Sequence, residues 1–432
     1  MIELRSSVMV GEEIMRRGVN LRILYLTQFF DPEPAYKGLG FAKGLQSAGH
    51  AVSVLTGFPN YPGGKIYDGY RIRLVQHEVM QGVAVARVPL YPSHDKSAWR
   101  RLLNYATFAM SSTLYGLFRA GRCDVIYVYH PPMTAGLAAV LVGLLRRRPV
   151  VIDIQDLWPD TLAATGMIRS PRILKIAAFA CNFTYRHATR ISVQSPGFKQ
   201  RLVERGVPSD KIDVILNWAD IGETTPKHAL DLTPFALDDR FNVLFAGTMG
   251  MAQGLDVILD AAKIVATSDS RIQFLLVGSG VETGRLQRRI QTEGISNCRQ
   301  VPQVRRDLII DVQTAVDVLL VTLAPDPLFE ITIPSKTQHY LAVGKPIIFS
   351  GAGNAAALIE QARGGVSTPP GDAKALAEAV LSLAATPAED RTAMGHRGRQ
   401  YYDQELSFDL GISKTLATIK RAISDWNGTP KS

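Results

Sequence analysis

The chain has 432 residues, of which 46% are hydrophobic and 20% charged, and a formal net charge of +9. That length exceeds one ordinary core and implies two domains of roughly 200 residues each. No apolar run reaches the roughly 18 residues of a spanning helix; the nearest, residues 133–145, stops at Arg146, Arg147 and Arg148. Cys123, Cys181 and Cys298 are scattered without metal-ligand or redox spacing, so a reducing compartment and no structural zinc are expected. Charge is uneven: residues 1–217 carry about 27 Lys and Arg against 15 Asp and Glu, the remainder about 21 against 24. A basic half favours an acidic partner. Without a finger, basic zipper or ribonucleoprotein-type motif, an anionic membrane surface fits better than nucleic acid.

Residues 1–20 contain charges, Met9 and Met15, and no apolar signal core, and are expected to be either a flexible extension or the result of a start codon assigned too early. Residues 21–27 then read as a strand, 36–48 as a helix and 51–56 as a second strand after the stop at Gly49 and His50. Further strands are expected at 82–89, 125–129, 150–154, 190–194 and 212–216, with helical segments between most of them. This alternation is βαβ logic and predicts a mainly parallel sheet. It pauses at 220–240 and restarts, with strands expected at 241–246, 273–277, 298–301, 318–321, 346–349 and 365–367. Ligands of such folds bind outside the carboxyl ends of the strands. A last segment, 408–426, has helical apolar spacing at Leu410, Ile412, Leu416, Ile419 and Ile423.

The stretch from Thr332 to Phe349 is the most informative. Pro334 is placed to open a helix, which sets Ser335 and Lys336 at the positive end of its dipole, where phosphate is attracted. Gly344 and Pro346 stop it, and Ile347, Ile348 and Phe349 read as a buried strand. An ordinary helix start with a solvated lysine is the alternative. Gly38 and Gly40, in the loop after the first strand, permit close approach of a phosphate or sugar, or simply make a turn. Asp156, Trp158 and Asp160 follow a buried strand, where carboxylates and an indole bind sugar hydroxyls and faces; capping and core packing are the competing roles. His130 stands at a strand end, either structural or placed to orient an acceptor hydroxyl as a neutral imidazole.

Several blocks recur in family order: Gly49-His50-Ala51-Val52, Thr56-Gly57-Phe58-Pro59-Asn60-Tyr61-Pro62, residues 153–160 from Asp153 to Asp160, residues 215–220 from Ile215 to Asp220, Phe245-Ala246-Gly247-Thr248-Met249-Gly250 with Gln253, Gly254 and Leu255, and Pro334-Ser335-Lys336. From about residue 21 to 423 the chain resembles the retaining family 4 glycosyltransferases, more closely the fucosaminyltransferase-like bacterial branch of O-antigen, colanic acid and capsule synthesis. The resemblance implies an α/β GT-B fold, two Rossmann-like parallel-sheet domains facing across a donor/acceptor cleft. Its divisions would be an acceptor-binding domain at 21–218, a nucleotide-sugar domain at 219–407, and a helix at 408–432 crossing back to the first, with Asn217 near the hinge.

The implied activity is retaining transfer of a sugar, with an N-acetylated amino sugar as one candidate, from a UDP-sugar to a lipid-linked or oligosaccharide acceptor, including polyprenyl-linked glycans of lipopolysaccharide. It implies no metal and no cofactor beyond the donor, and a cytoplasmic enzyme on the inner face of the membrane. His130, Asp156 and Lys336 would be catalytic. Gly247, Thr248, Gly250, Gln253, Gly278, Val304, Glu330, Ser335, Lys336 and His339 would bind the donor; Gly38, Gly40, Trp158 and Asp160 would form the acceptor and phosphate loop. The chain departs from the family where a diphosphate-gripping arginine and lysine are usual: Met249 and Gln253 stand there. Charge compensation is therefore expected from Lys336 and the backbone amides of residues 247–250. The family's paired glutamates are also absent, with Ile331 and His339 in their places and Glu330 adjacent. Another GT-B protein, such as a nucleotide-sugar epimerase, or a non-catalytic sugar-nucleotide-binding module, is the alternative reading. A Gly351-Ala352-Gly353 match to a dinucleotide fingerprint lies outside the first βαβ unit of its domain, which argues against it. On a helix beginning near Lys96, Arg100 and Arg101 accompany an apolar stripe of Trp99, Leu102, Leu103, Ala106, Met110 and Leu114, read as membrane contact or as a core helix.

Overall fold

In a computed structural model the described residues are 20–93, 98–164, 168, 170–219, 235, 237, 240–305 and 308–428. Apart from Asn20, the expected extension lies outside them, as do Lys96 and Asp220. Contacts divide the chain into two units: residues up to 194, 198–215 and 409 onward in the first, and 195–197 and 216–408 in the second.

The first unit is an eight-stranded sheet. Its strands are β1 (Arg22–Thr27), β2 (Ala51–Gly57), β3 (Gln76–Met80), β4 (Val83–Val88), β5 (Val125–His130), β6 (Val150–Ile154), β7 (Arg190–Val193) and β8 (Ile212–Val214). Their order is β3-β4-β2-β1-β5-β6-β7-β8, parallel except for the β3–β4 pair. Strands β5 and β6 are buried along their whole length, as a sheet with helices on its faces requires. Helices α1 (Leu39–Ser47), α2 (Ala98–Phe118), α3 (Met133–Arg146), α4 (Asp160–Ala164), α5 (Pro171–His187) and α6 (Pro196–Glu204) connect the strands. A buried ion pair between Lys37 and Asp153 fastens the segment before α1 to β6. The same carboxylate accepts from Tyr127 Oη at 2.8 Å, Gln155 Nε2 at 2.8 Å and Ser192 Oγ at 3.2 Å, so this desolvated charge has its lone pairs satisfied.

The second unit has six parallel strands, β9 (Phe241–Ala246), β10 (Ile272–Val277), β11 (Cys298–Val301), β12 (Val318–Thr322), β13 (Ile347–Ser350) and β14 (Gly365–Thr368), in the order β11-β10-β9-β12-β13-β14. Helices α7 (Asp256–Ser268), α8 (Thr283–Thr292), α9 (Ile309–Ala315), α10 (Pro327–Glu330), α11 (Ser335–Val343), α12 (Asn354–Ala362), α13 (Ala373–Ala385) and α14 (Ala388–Tyr401) accompany them. Side chains alternate strictly: Val243 and Phe245 of β9 enter one core, Leu244 and Ala246 the other, as the two-residue strand period demands. The last helix, α15 (Phe408–Gly428), buries Ile412, Leu416 and Ile419. Residues 409 onward lie in the first unit, where Asp425 accepts from Arg190 Nε at 2.7 Å and Asp213 from Thr418 Oγ1 at 2.9 Å.

Candidate functional site

Strand order in the second unit reverses between β9 and β12, and such a reversal leaves a crevice beyond the carboxyl ends of the two strands. The loop leaving β9 and the loop leaving β10 meet there backbone to backbone. Gly247 has φ 135° and Gly278 φ 143°; a Cβ on Gly278 would stand 2.0 Å from the Gly247 carbonyl oxygen. This closeness uses up the amides expected to cradle phosphate. Gly247 N–H donates to Val277 O at 2.8 Å, Met249 N–H to Ser279 O at 2.9 Å, and Gly250 N–H to Gln253 Oε1 at 3.0 Å. Of the four, only the N–H of exposed Thr248 lacks a partner among the described residues. The expectation of an amide cradle is corrected accordingly, and Gln253 proves to cap a turn. Met249 is fully buried, with Gln300 Nε2 3.2 Å from its sulfur, which accounts for an uncharged residue at that position.

The cation comes from α11. Pro334 is its extended N-cap (φ −61°, ψ 137°), and Lys336 turns back over the end of β9. Its Nζ lies 3.6 Å from the centroid of the Phe245 ring and is buried without a hydrogen-bond partner. A Cβ on Gly247 would sit 2.5 Å from Lys336 Cε, so glycine there is what admits the lysine. Burial pushes the ammonium down to about 7. The alternative reading of a solvated lysine therefore fails, since this lysine is desolvated. Beside it, the Thr337 hydroxyl and both amide atoms of Gln338 are also buried and unpartnered. Tyr340 Oη accepts from Ala246 N–H at 3.1 Å and holds α11 against β9.

The other expected donor residues take varied places. Ser335 is exposed at the first turn of α11 and Glu330 is exposed at the end of α10. Gly353 packs on the Glu330 backbone, where a Cβ would meet its carbonyl oxygen at 1.9 Å; the glycines that imitate a dinucleotide fingerprint therefore serve packing. His339 Nε2 is 2.8 Å from Gln313 Oε1. Val304 is half-buried against the core.

In the first unit, Asp156 is half-buried and has no side-chain hydrogen bond among the described residues. Burial raises its carboxyl to about 6. Asp156 and the buried Glu33 both hold the Tyr61 phenol up, after burial itself, and Asp156 and Tyr61 do the same to Tyr105. These acids and phenols therefore form one electrostatic cluster. Glu33 accepts from Asn60 N–H at 2.6 Å and Tyr61 N–H at 2.7 Å, and burial still raises it to about 7. Arg101, one turn before Tyr105 on α2, has a buried Nε without a partner. Glu33, Tyr61 and Tyr105 do not stand out in the sequence as site residues; the block from Thr56 to Pro62 and the four-residue spacing of Arg101 and Tyr105 are the signals that point to them.

Several first-unit residues expected at the site take structural roles. Asp160 pairs with Arg205, whose Nη1 also donates to Trp158 O at 3.0 Å, so its carboxylate braces the turn. Trp158 is 8% exposed and packs on Tyr105, with ring centroids 6.1 Å apart. At the start of α1 the Asp31 carboxylate accepts from Leu39 N–H at 2.6 Å, in the space a Cβ on Gly38 would need. An anion already occupies that helix end, which disfavours phosphate, and Gly40 faces open space. His130 is fully buried at the end of β5, with neither ring nitrogen hydrogen-bonded, and desolvation lowers it to about 4. It is neutral at physiological pH.

Comparison with known proteins agrees with these two units. Residues 39–218 match the family model described as a glycosyl transferase 4-like domain, and residues 240–386 that described as glycosyl transferases group 1. A chain named as colanic acid biosynthesis glycosyl transferase WcaI, of Escherichia coli (strain K12), is 27% identical over 72% of this chain and 79% of its own length. One named as glycosyltransferase WbjE, of Pseudomonas aeruginosa, is 23% identical over 71% and 77%. Among solved structures, Anabaena HepE in complex with UDP and glucose superposes with a TM-score of 0.66 at 18% identity, covering 93% of this chain and all of its own. A trehalose 6-phosphate synthase of Burkholderia multivorans gives 0.68 at 14%, covering 96% of this chain and all of its own.

Proposed function

We propose that this chain, a glycosyltransferase of GT-B fold acting in polysaccharide biosynthesis, uses a UDP-sugar as donor and a lipid-linked glycan as acceptor, with retention at the anomeric carbon. The observation that carries the donor half of this reading is the buried, unpartnered ammonium of Lys336. A desolvated cation at a helix start and beside a strand-order reversal is matched by a diphosphate, which supplies the missing charge and hydrogen-bond acceptors. HepE, of like fold, was solved with UDP and with UDP-glucose. Lys336 and the first turn of α11 would also stabilise the negative charge that grows on the leaving diphosphate, where a fixed donor contributes most.

No side chain is proposed as a nucleophile. In front-face departure the acceptor hydroxyl attacks from the side the diphosphate leaves, and its proton passes to the departing phosphate oxygen. On the first unit, Asp156, Tyr61 and Tyr105 provide the carboxylate and aromatic surface that sugar hydroxyls and ring faces favour. Neutral His130 would orient a hydroxyl as hydrogen-bond partner rather than as a cation. The fucosaminyltransferase-like branch favours an N-acetylated amino sugar as donor, and a lipid-linked acceptor would set the work at the inner face of the cytoplasmic membrane.

The test is incubation of the purified chain with a panel of UDP-sugars and a polyprenyl diphosphate-linked glycan, following UDP release and the anomeric configuration of the product. One donor should react, with retention, and Lys336→Ala should stop the reaction without unfolding the chain. Normal turnover by that variant would remove Lys336 from the site; an inverted product would remove the front-face mechanism.

A further inference from the structure

An outward helix face normally carries polar side chains. On α2 the exposed positions Trp99, Leu103, Met110, Leu114 and Phe118, together with Ala106, form a stripe with no polar member after Arg100. Trp99 is 72% and Phe118 79% exposed, so the reading of α2 as a core helix fails on this face. The pattern continues on its neighbours. Helix α3 packs against both α2 and α5; it exposes Leu144 and Leu145, while α5 exposes Ile173, Ile176 and Phe179, the last by 76%.

Charge completes the pattern. None of the three helices contains an aspartate or a glutamate, and exposed cations border the apolar positions: Arg100 on α2, and Arg172, Lys175 and Arg186 on α5. No helix of the described residues is long and apolar enough to cross a membrane. Helices whose exposed faces are apolar and basic and that themselves contain no acid are complementary to an anionic bilayer, into which they would sink their side chains without spanning it. A second copy of the chain is the poorer occupant, because a two-fold contact would set the same cations against each other.

We infer that the α2–α3–α5 layer is the surface on which the first unit docks to an anionic lipid bilayer, with Ile173, Ile176 and Phe179 of α5 as anchors alongside Trp99 and the α2 stripe. The inference rests on the proposed lipid-linked acceptor only for the choice of partner; the surface itself is read from its residues.

Flotation of the full chain with vesicles of phosphatidylcholine and of rising phosphatidylglycerol content tests it. Binding should rise with anionic content and fall with salt, and Trp99 emission should shift to the blue, a shift absent in Trp99→Phe. Ile176→Glu with Phe179→Glu should weaken binding at least about tenfold, and Lys175→Gln by roughly fivefold, with thermal midpoint and UDP-glucose affinity unchanged. Flotation indifferent to all these substitutions would overturn the inference. So would a wild-type dimer that Phe179→Glu dissociates, since the face would then belong to a second copy. If the wild-type chain transfers no sugar even to a water-soluble acceptor analogue yet floats as described, the proposed reaction fails and the docking surface stands.

Discussion

Lys336 holds its charge at a place where burial opposes it, and that conflict makes it informative in both stability and binding. Its folded value of about 7 lies below the ordinary 10.5 of lysine. Between those values the unfolded chain carries the extra proton, so this group's contribution to stability rises with pH above about 7 and is most adverse at and below it. Lys336→Met should therefore raise folding stability at neutral pH by about 1 kcal/mol or more while weakening UDP-glucose binding by roughly 10- to 100-fold, the size of a charge-assisted contact. A diphosphate favours the protonated amine, so wild-type affinity should fall as pH rises above 7, by at most about tenfold per unit, and the variant's should not. Calorimetric titration across that range checks both; a parallel pH dependence in the variant would assign it to another group. Asp156 makes the complementary case. A carboxyl raised to about 6 by burial contributes stability that is lost as pH rises through that value, because the native state then holds an uncompensated charge. Asp156→Asn should raise the thermal midpoint at pH 7, and if the carboxylate touches the acceptor it should also lower kcat. A higher midpoint with unchanged kcat would leave Asp156 only a structural place.

The elements that carry these residues are legible in the sequence to the extent that they are buried on both faces. Strands such as β5, β6 and β10 announce themselves as mainly apolar runs, each with a single strongly polar residue, His130, Asp153 and Gln273. Strand β3 escapes because Gln76–Met80 is mostly polar and sits at a sheet edge, paired only with β4. The start of α11 can be read from Pro334, but not the burial of Lys336, which depends on a ring and a glycine at the end of β9. Gly38 and Gly40 look alike in sequence, yet one faces the Asp31 carboxylate and the other open space, a difference made by the folded loop alone. Glycines at the ends of elements accordingly divide into two kinds. Gly278→Ala should cost more than about 2 kcal/mol, since its φ of 143° strains any Cβ and the new carbon would meet the Gly247 carbonyl oxygen. Gly40→Ala, exposed within α1 with no atom in reach, should be neutral or stabilising by up to about 1 kcal/mol and should leave activity intact. Urea unfolding of both variants tests this division; a destabilised or inactive Gly40→Ala chain would restore the loop to the ligand site.

At the scale of the molecule, the proposed function gives donor recognition and acceptor recognition to different units, and the tryptophans allow that proposal to be measured. Of the four in the chain, Trp99, Trp158 and Trp426 fall in the first unit and Trp218 in the second. Trp158 and Trp218 are both buried, the latter edge-on to Phe408 with ring centroids 5.6 Å apart, so each loses a distinct environment when its unit unfolds. A variant retaining only Trp218 reports the second unit, and one retaining only Trp158 the first, with phenylalanine at the other positions. A ligand that binds only folded protein stabilises it by about 2.7 kcal/mol at a hundred times its Kd. If the donor is held around Lys336, UDP-glucose should move the Trp218 transition in urea by that amount, and Lys336→Met should abolish the movement. A shift confined to the Trp158 transition would instead put the nucleotide on the first unit, among Glu33, Tyr61 and Asp156, and would exchange the donor and acceptor roles of the two sheets.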